Sequence, residues 1–220
     1  MTYPTARPIT DRWVALDVGE TLIDETRIWS AWADALGVPR LTFLAGLGAT
    51  LARGGDYRDV FAMFGAPDWN QHAEAVEERH GGFTPVDLYP DALRSLDALR
   101  DAGYRIAIVA NQPAMRHAQL ESLGVRADVM GMSDALGVAK PDPAFFERIL
   151  ELTGAAAADT VYVGDRVDND VLPAGAAGMR PVWIRRGPWG VIQQLPADVR
   201  PALVVDSLDE LVERIGEVWP

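Results

Sequence analysis

The ten residues from Trp13 to Leu22, WVALDVGETL, constrain the fold more than any other stretch. Val14, Ala15, Leu16 and Val18 form an almost unbroken apolar run, the pattern of a parallel strand covered by helices on both faces. One acid, Asp17, interrupts the run near its end. A carboxylate there costs several kcal/mol unless a charge or a cation meets it. Gly19 lets the chain turn sharply, and Thr21 and Leu22 re-enter packed structure. Open α/β sheets bind ligands beyond the carboxyl ends of their strands. Asp17 is therefore read as a nucleophile or metal ligand, with a helix-capping Asp as the plain alternative.

Downstream, the pattern predicts first an insertion and then a sheet. From Asp24 to about Pro85 no strand is evident. Asp24 can cap a helix running to Leu36 and stopped by Gly37; a second runs from about Leu41 to Arg53, stopped by Gly54-Gly55. Asp56 can cap a third that ends near Phe64-Gly65, and Pro67 opens a fourth that ends at Gly81-Gly82. Strand and helix then alternate. The expected strands are 105–110 (RIAIVA), 128–132, 160–163 (TVYV), 181–184 and 202–205. The expected helices are 91–103, 114–123, 143–152, 169–177 and 207–215. Such alternation means right-handed βαβ units and a doubly wound parallel sheet. The expected division is an α/β core at 13–23 and 87–220, with a small all-helical cap at 24–86.

Composition narrows the classes of function. A net charge of −12 works against nucleic-acid and anionic-membrane partners, which need basic patches. No apolar run approaches the ~20 residues of a membrane span, and MTYPTARPIT has no apolar signal core; a cytoplasmic location is expected. Without Cys, disulfides, thiolate metal sites and a Cys nucleophile are excluded. Of the 20 basic residues 19 are Arg, and the single Lys is Lys140. That bias suggests a task for a compact point charge that a planar guanidinium would do badly, against chance in an Arg-rich chain.

A parallel sheet gathers its strand ends. Ala110-Asn111 closes one strand, Lys140 precedes Pro141 in a loop, and Val163-Gly164-Asp165 closes another, followed by Asp170. Asp17, Asp165 and Asp170 would repel one another unless a hard divalent cation sits among them. Oxygen ligands, no Cys and no well-spaced His among His72, His80 and His117 favour Mg²⁺ over Zn²⁺.

The segments LDVGETL, IAIVANQ, GVAKPDP and VYVGDRVDNDV, followed by AGAAGM, occur in the order of the motifs of the haloacid dehalogenase-like (HAD) hydrolases. The chain resembles that superfamily over about residues 13–215, in a form with a helical cap inserted after the first motif. The resemblance implies a Rossmann-like core and a covalent aspartyl intermediate on Asp17. It implies that Lys140 holds that Asp and the transferring group, and that Mg²⁺ is bound by Asp17, Asp165 and the backbone carbonyl of Gly19, with Asp170 in support. The implied partner is a small, phosphorylated molecule, met by a monomer or homodimer.

Two departures accompany the matches. Family phosphatases usually carry a second Asp two residues after the nucleophile, as general acid and base; here that position is Gly19. Their second motif usually ends in Ser or Thr; here it is Ala110. Loss of a positioned acid costs about 10²–10⁴ in rate, and of one donor to the developing charge about 10²–10³, so a slow or specialised phosphatase is expected. Glu20 is the candidate replacement acid, and Asn111 the candidate replacement donor; each also has a plain reading in turn chemistry. Arg27 is a possible anion contact or a solvated helix-face residue.

Two alternatives stay open. L-2-haloacid dehalogenases also lack the second Asp and use no metal, but do not keep the acidic fourth motif present here. A non-catalytic ligand- or partner-binding protein is the other. Phosphonate cleavage needs a cap Lys, and this cap has none. Of the insertion's aromatics, Trp29 with Trp32 and Phe61 with Phe64 stand at i, i+3 spacing and are expected to pack as its own core.

Overall fold

The computed structural model describes residues 11–219. Six strands, β1 (Trp13–Leu16), β2 (Arg105–Ala110), β3 (Val129–Met132), β4 (Thr160–Gly164), β5 (Arg180–Ile184) and β6 (Leu203–Val205), form one parallel sheet in the order β3-β2-β1-β4-β5-β6. Trp13 of β1 lies opposite Arg105 of β2 on one side and Thr160 of β4 on the other. The central strand thus has a covered edge on both sides, and all four of its side chains are buried.

Strand alternation sorts these side chains into two layers. Val14 and Leu16, with Ile106, Ile108, Val161 and Val163, face a core closed by α5 (Ala92–Asp101), α6 (Arg116–Ser122) and α11 (Leu208–Arg214). Trp13 and Ala15, with Ala107, Val109 and Tyr162, face Phe145, Phe146 and Ile149 of α8 (Pro143–Thr153) and Ala174 of α9 (Leu172–Ala176). Helices on both faces explain why β1 reads as an apolar run and not as an alternation. The order places a topological switch point between β1 and β4, where the chain leaves β1 at Asp17 and β4 at Asp165.

Between β1 and α5 lie α1 (Thr26–Ala35), α2 (Arg40–Ala52), α3 (Asp59–Met63) and α4 (Ala73–His80), and no named strand. The apolar faces of α1, α2 and α3 meet in an aromatic cluster, but not through the expected i, i+3 pairs. Trp29 packs with Phe43 and Tyr57, Trp32 with Phe61 and Trp69, and Phe64 with Phe43. Tertiary partners win because a short helix buries one stripe only against another element. Trp189, from α10 (Gly187–Ile192), enters the same cluster and contacts Trp29 at 5.8 Å between ring centroids.

Three local features differ from the sequence-based expectation. The helix expected over 169–177 is broken into a wide i→i+5 turn at Val167–Val171 and then α9, because Pro173 has no N–H to continue an ordinary ladder and Asp170 folds back on the Arg166 N–H. The segment opened by Pro67 begins as a tight turn, Trp69–His72, before α4. Two short helices, α7 (Ser133–Leu136) and α10, arise where no element is expected from the sequence. No single helix among the described residues is long and apolar enough to cross a membrane.

Candidate active site

Asp17 follows β1 directly, and its N–H donates to the Val163 carbonyl of β4 at 2.9 Å, so the strand pairing itself carries it to the switch point. Asp165 follows β4, its carbonyl fixed by the Trp183 indole N–H at 2.8 Å. The glycine before it is required: a Cβ on Gly164 would lie 2.4 Å from the Asp170 carboxyl, which packs on the bare backbone. Lys140 arrives from the opposite side in the loop before α8. Asp142 caps that helix by accepting from the Ala144 N–H, and Pro143 opens its first turn, so the sequence KPDP fixes the approach of the loop.

The side chains converge. Lys140 Nζ lies 2.8 Å from Asp17 Oδ2 and 2.6 Å from Asp170 Oδ1, and the ammonium is buried over the Tyr162 ring. Burial opposes its charge, but the Asp17 and Asp170 carboxylates outweigh burial and hold Lys140 well above the ordinary lysine range. One cation faces three carboxylates, and the imbalance falls on the other acids. Asp165 is pushed well above the usual carboxylate range by burial and then by Asp170 and Asp17. Asp170 rises to about 6, mainly through burial, with Lys140 pulling it down.

Asp17, Asp165 and Asp170 each offer an oxygen within 4.8 Å of the others. Asp165 Oδ2 is buried and has no hydrogen-bond partner among the described residues. An unpaired buried carboxylate oxygen facing two further acids fits a hard divalent cation with oxygen ligands. Asp170 is the most engaged of the three, since its second oxygen accepts from the Arg166 N–H at 2.9 Å.

The other expected site residues are placed as follows. Asn111 lines the cavity above the acids, but its amide braces the lysine loop: Lys140 N–H donates to Oδ1 at 2.7 Å, and Nδ2 donates to the Lys140 carbonyl at 2.9 Å. One amide hydrogen is left over. Glu20 also lines the cavity, with φ of 50°, the left-handed region that disfavours Glu. Its carboxylate is held by the Tyr89 hydroxyl and the Glu25 N–H, which fix this turn. Arg27 does not reach the cavity. It donates to both oxygens of the buried Asp87, at 2.6 and 2.9 Å, and to the Gly82 carbonyl, tying α1 to the segment that returns to the sheet. The possible anion contact of Arg27 is replaced by this structural one.

The sequence reading passed over Glu25. This residue stands at the start of α1, accepts from Gln112 Nε2 at 3.2 Å, and fills the space beside Gly19. Burial, then the charges of Glu20 and Asp17, push it up to about 8. The vacancy at Gly19 was the available signal, but the residue that fills it is set by the path of the turn.

Above the acids lies a cavity of about 1370 Å³ with an aromatic wall that includes Trp29, Trp32, Phe61 and Trp189. Three cations, Arg58, Arg116 and Arg166, also border it. Arg116 is buried and bridges to Glu77 of α4 at 2.6 Å; Arg166 stacks over Trp189 at 5.1 Å and pairs with Asp168. Arg58 pairs with Asp56, so each of the three cations is matched by an acid of the same lining, and the lining keeps an excess of carboxylates.

A family profile described as haloacid dehalogenase-like hydrolase matches residues 12–178. A glyceraldehyde 3-phosphate phosphatase of Methanopyrus kandleri is 32% identical over 62% of this chain and 60% of its own length. A phosphoserine phosphatase of Thermus thermophilus is 32% identical over 82% of this chain and 76% of its own length. Among solved structures, an HAD phosphatase of Thermococcus onnurineus matches with a TM-score of 0.62 at 26% identity, covering 94% of this chain and 98% of that one. An L-2-haloacid dehalogenase matches with a TM-score of 0.71 at 19% identity, covering 94% and 99%, a likeness of fold alone.

Proposed function

Because the chain belongs to the haloacid dehalogenase-like hydrolase family, we propose that it hydrolyses a small phosphate monoester through a covalent intermediate on Asp17. The observation that carries this reading is the buried trio of Asp17, Asp165 and Asp170 around a single lysine, with one Asp165 oxygen unpartnered. That set suits a cation and a phosphoryl group together. A metal-free dehalogenation needs at most one further acid, to activate water for hydrolysis of the ester intermediate, and leaves the other uncompensated. Phosphatases among the relatives support the same class.

In this reading Lys140 holds Asp17 by Oδ2, leaving Oδ1 to attack phosphorus in line with the leaving oxygen. Its positive charge also offsets negative charge gathering on the phosphoryl oxygens. The spare amide hydrogen of Asn111 takes the place of the hydroxyl absent at Ala110, while its other bonds keep Lys140 in position. Mg²⁺, held by Asp17 and Asp165 with the Gly19 carbonyl and Asp170 in support, would supply charge to screen the phosphoryl oxygens. The aromatic wall closes over the organic part of the ester and excludes water.

Steady-state turnover of a panel of phosphate esters and 2-haloacids, with Mg²⁺ and with chelator, tests the proposal. Phosphate esters should turn over only with Mg²⁺, and Asp17→Asn should abolish the activity. Chelator-resistant turnover of a 2-haloacid would put the chain with the dehalogenases. Inertness toward both classes would favour the non-catalytic reading.

A further inference from the structure

Position 19 lacks the acid expected of a phosphatase, yet the space beside it is not empty. An ideal Cβ built on Gly19 would lie 2.4 Å from Glu25 Oε1 and 2.7 Å from the carboxyl carbon of Glu25. The Glu25 carboxyl therefore occupies the volume that an Asp side chain at 19 would fill. Both Glu25 and Asp17 line the cavity. Two contacts keep Glu25 there: its N–H donates to Glu20 Oε1, and its own Oε1 accepts from Gln112 Nε2. Glu20 is not available for the task, because its carboxylate closes the turn against Tyr89 and the Glu25 backbone.

We infer that Glu25 is the general acid and base of this site, delivered from the start of α1 in place of a side chain at position 19. The inference rests on the phosphatase reading. In the first step Asp17 Oδ1 bonds to phosphorus, the bond from phosphorus to the ester oxygen breaks, and that oxygen takes the proton of the Glu25 carboxyl to leave as an alcohol. In the second, Glu25 removes a proton from water, the water oxygen bonds to phosphorus, and the bond to Asp17 breaks. Inorganic phosphate leaves, Asp17 is again a carboxylate, and Glu25 is again protonated.

The same geometry sets the behaviour of Gly19→Asp. Gly19 is not among the residues with positive φ, so its backbone accepts Asp. The obstacle is the Glu25 carboxyl, which is braced by Gln112. Asp at 19 works only when Glu25 is shortened.

Kinetics with one aryl and one alkyl phosphate, both with Mg²⁺, test the assignment. Wild type should hydrolyse both. Glu25→Gln, nearly isosteric, should lose about 10²–10⁴ in kcat/KM on the alkyl ester and far less on the aryl ester, whose oxygen leaves without a proton. With the aryl ester the variant should show a burst followed by slow turnover, because the second step has also lost its base. Gly19→Asp alone should be impaired, and the double variant Gly19→Asp with Glu25→Ala should recover alkyl-ester turnover above Glu25→Gln. Equal losses on both esters without a burst, or a double variant no better than Glu25→Gln, overturn the role of Glu25 and leave the phosphatase reading standing. Wild type that hydrolyses the aryl but not the alkyl ester does the same. Wild type inert toward both overturns the phosphatase reading itself, and this assignment with it.

Discussion

Lys140→Ala should abolish turnover and destabilise the fold by about 3–5 kcal/mol, the range for breaking a buried ion pair by removing one partner. The size of the effect follows from the surroundings. Lys140 is the only cation in contact with Asp17 and Asp170 among the described residues, and both carboxylates are buried. Without it Asp17 and Asp170 face Asp165 uncompensated, and nothing holds the Asp17 carboxylate in place for attack. Lys140→Arg should not rescue, since a planar guanidinium does not fit between two oxygens that close to one nitrogen. Chemical denaturation at neutral pH, with and without Mg²⁺, reads the stability, and added Mg²⁺ should recover part of it. A variant with wild-type stability and turnover would return the single lysine to chance composition.

The second large effect is in the pH dependence of stability. Glu25 is raised from an ordinary 4.5 to about 8 by burial and by its acidic neighbours. A raised acid stabilises the fold while protonated. Its contribution is complete below pH 4.5 and disappears as pH climbs through about 8. A shift of that size corresponds to at most roughly 5 kcal/mol, and water in the cavity reduces it; about 2 kcal/mol is expected. Asp170, raised to about 6, acts with the same sign. Metal-free wild type in chelator should therefore lose stability from about pH 5 to about pH 9, and Glu25→Gln, which cannot ionise, should lose less, so that the variant gains on wild type as pH rises. Parallel curves would mean that Glu25 ionises in the folded chain as it does in the unfolded one.

How much of this was legible in the sequence depends on which residues act locally. Asp17, Lys140, Asp165 and Asp170 could be placed together because each sits at or near the end of a strand or at the cap of a helix, and a parallel sheet has one carboxyl edge. The strand 105–110 was read to the residue, since its alternating partners are apolar on both faces. Arg27 and Glu25, two residues apart, show the limit. Their backbone is the same helix start, but Arg27 finds Asp87 sixty positions away while Glu25 finds Gly19 and Gln112. Nothing in spacing distinguishes them, because the direction in which each leaves the turn depends on the left-handed backbone at Glu20. Trp189 escaped for a similar reason. The run RRGPWG has no apolar periodicity to mark a helix, and although Pro188 opens the first turn, it is the contact of Trp189 with Trp29 that ties this turn to the cluster.

The central claim is that Asp17 takes the phosphoryl group. Acid quenching of the protein during turnover of an aryl phosphate with Mg²⁺, followed by peptide mass analysis, tests it most directly, and the slow second step expected of Glu25→Gln makes that variant the one to trap. The peptide that carries Asp17 should gain one phosphoryl group, labile to hydroxylamine as an acyl phosphate is, and Asp17→Asn should neither gain it nor turn over. Turnover without any acyl phosphate on that peptide, or persisting in Asp17→Asn, would contradict the account.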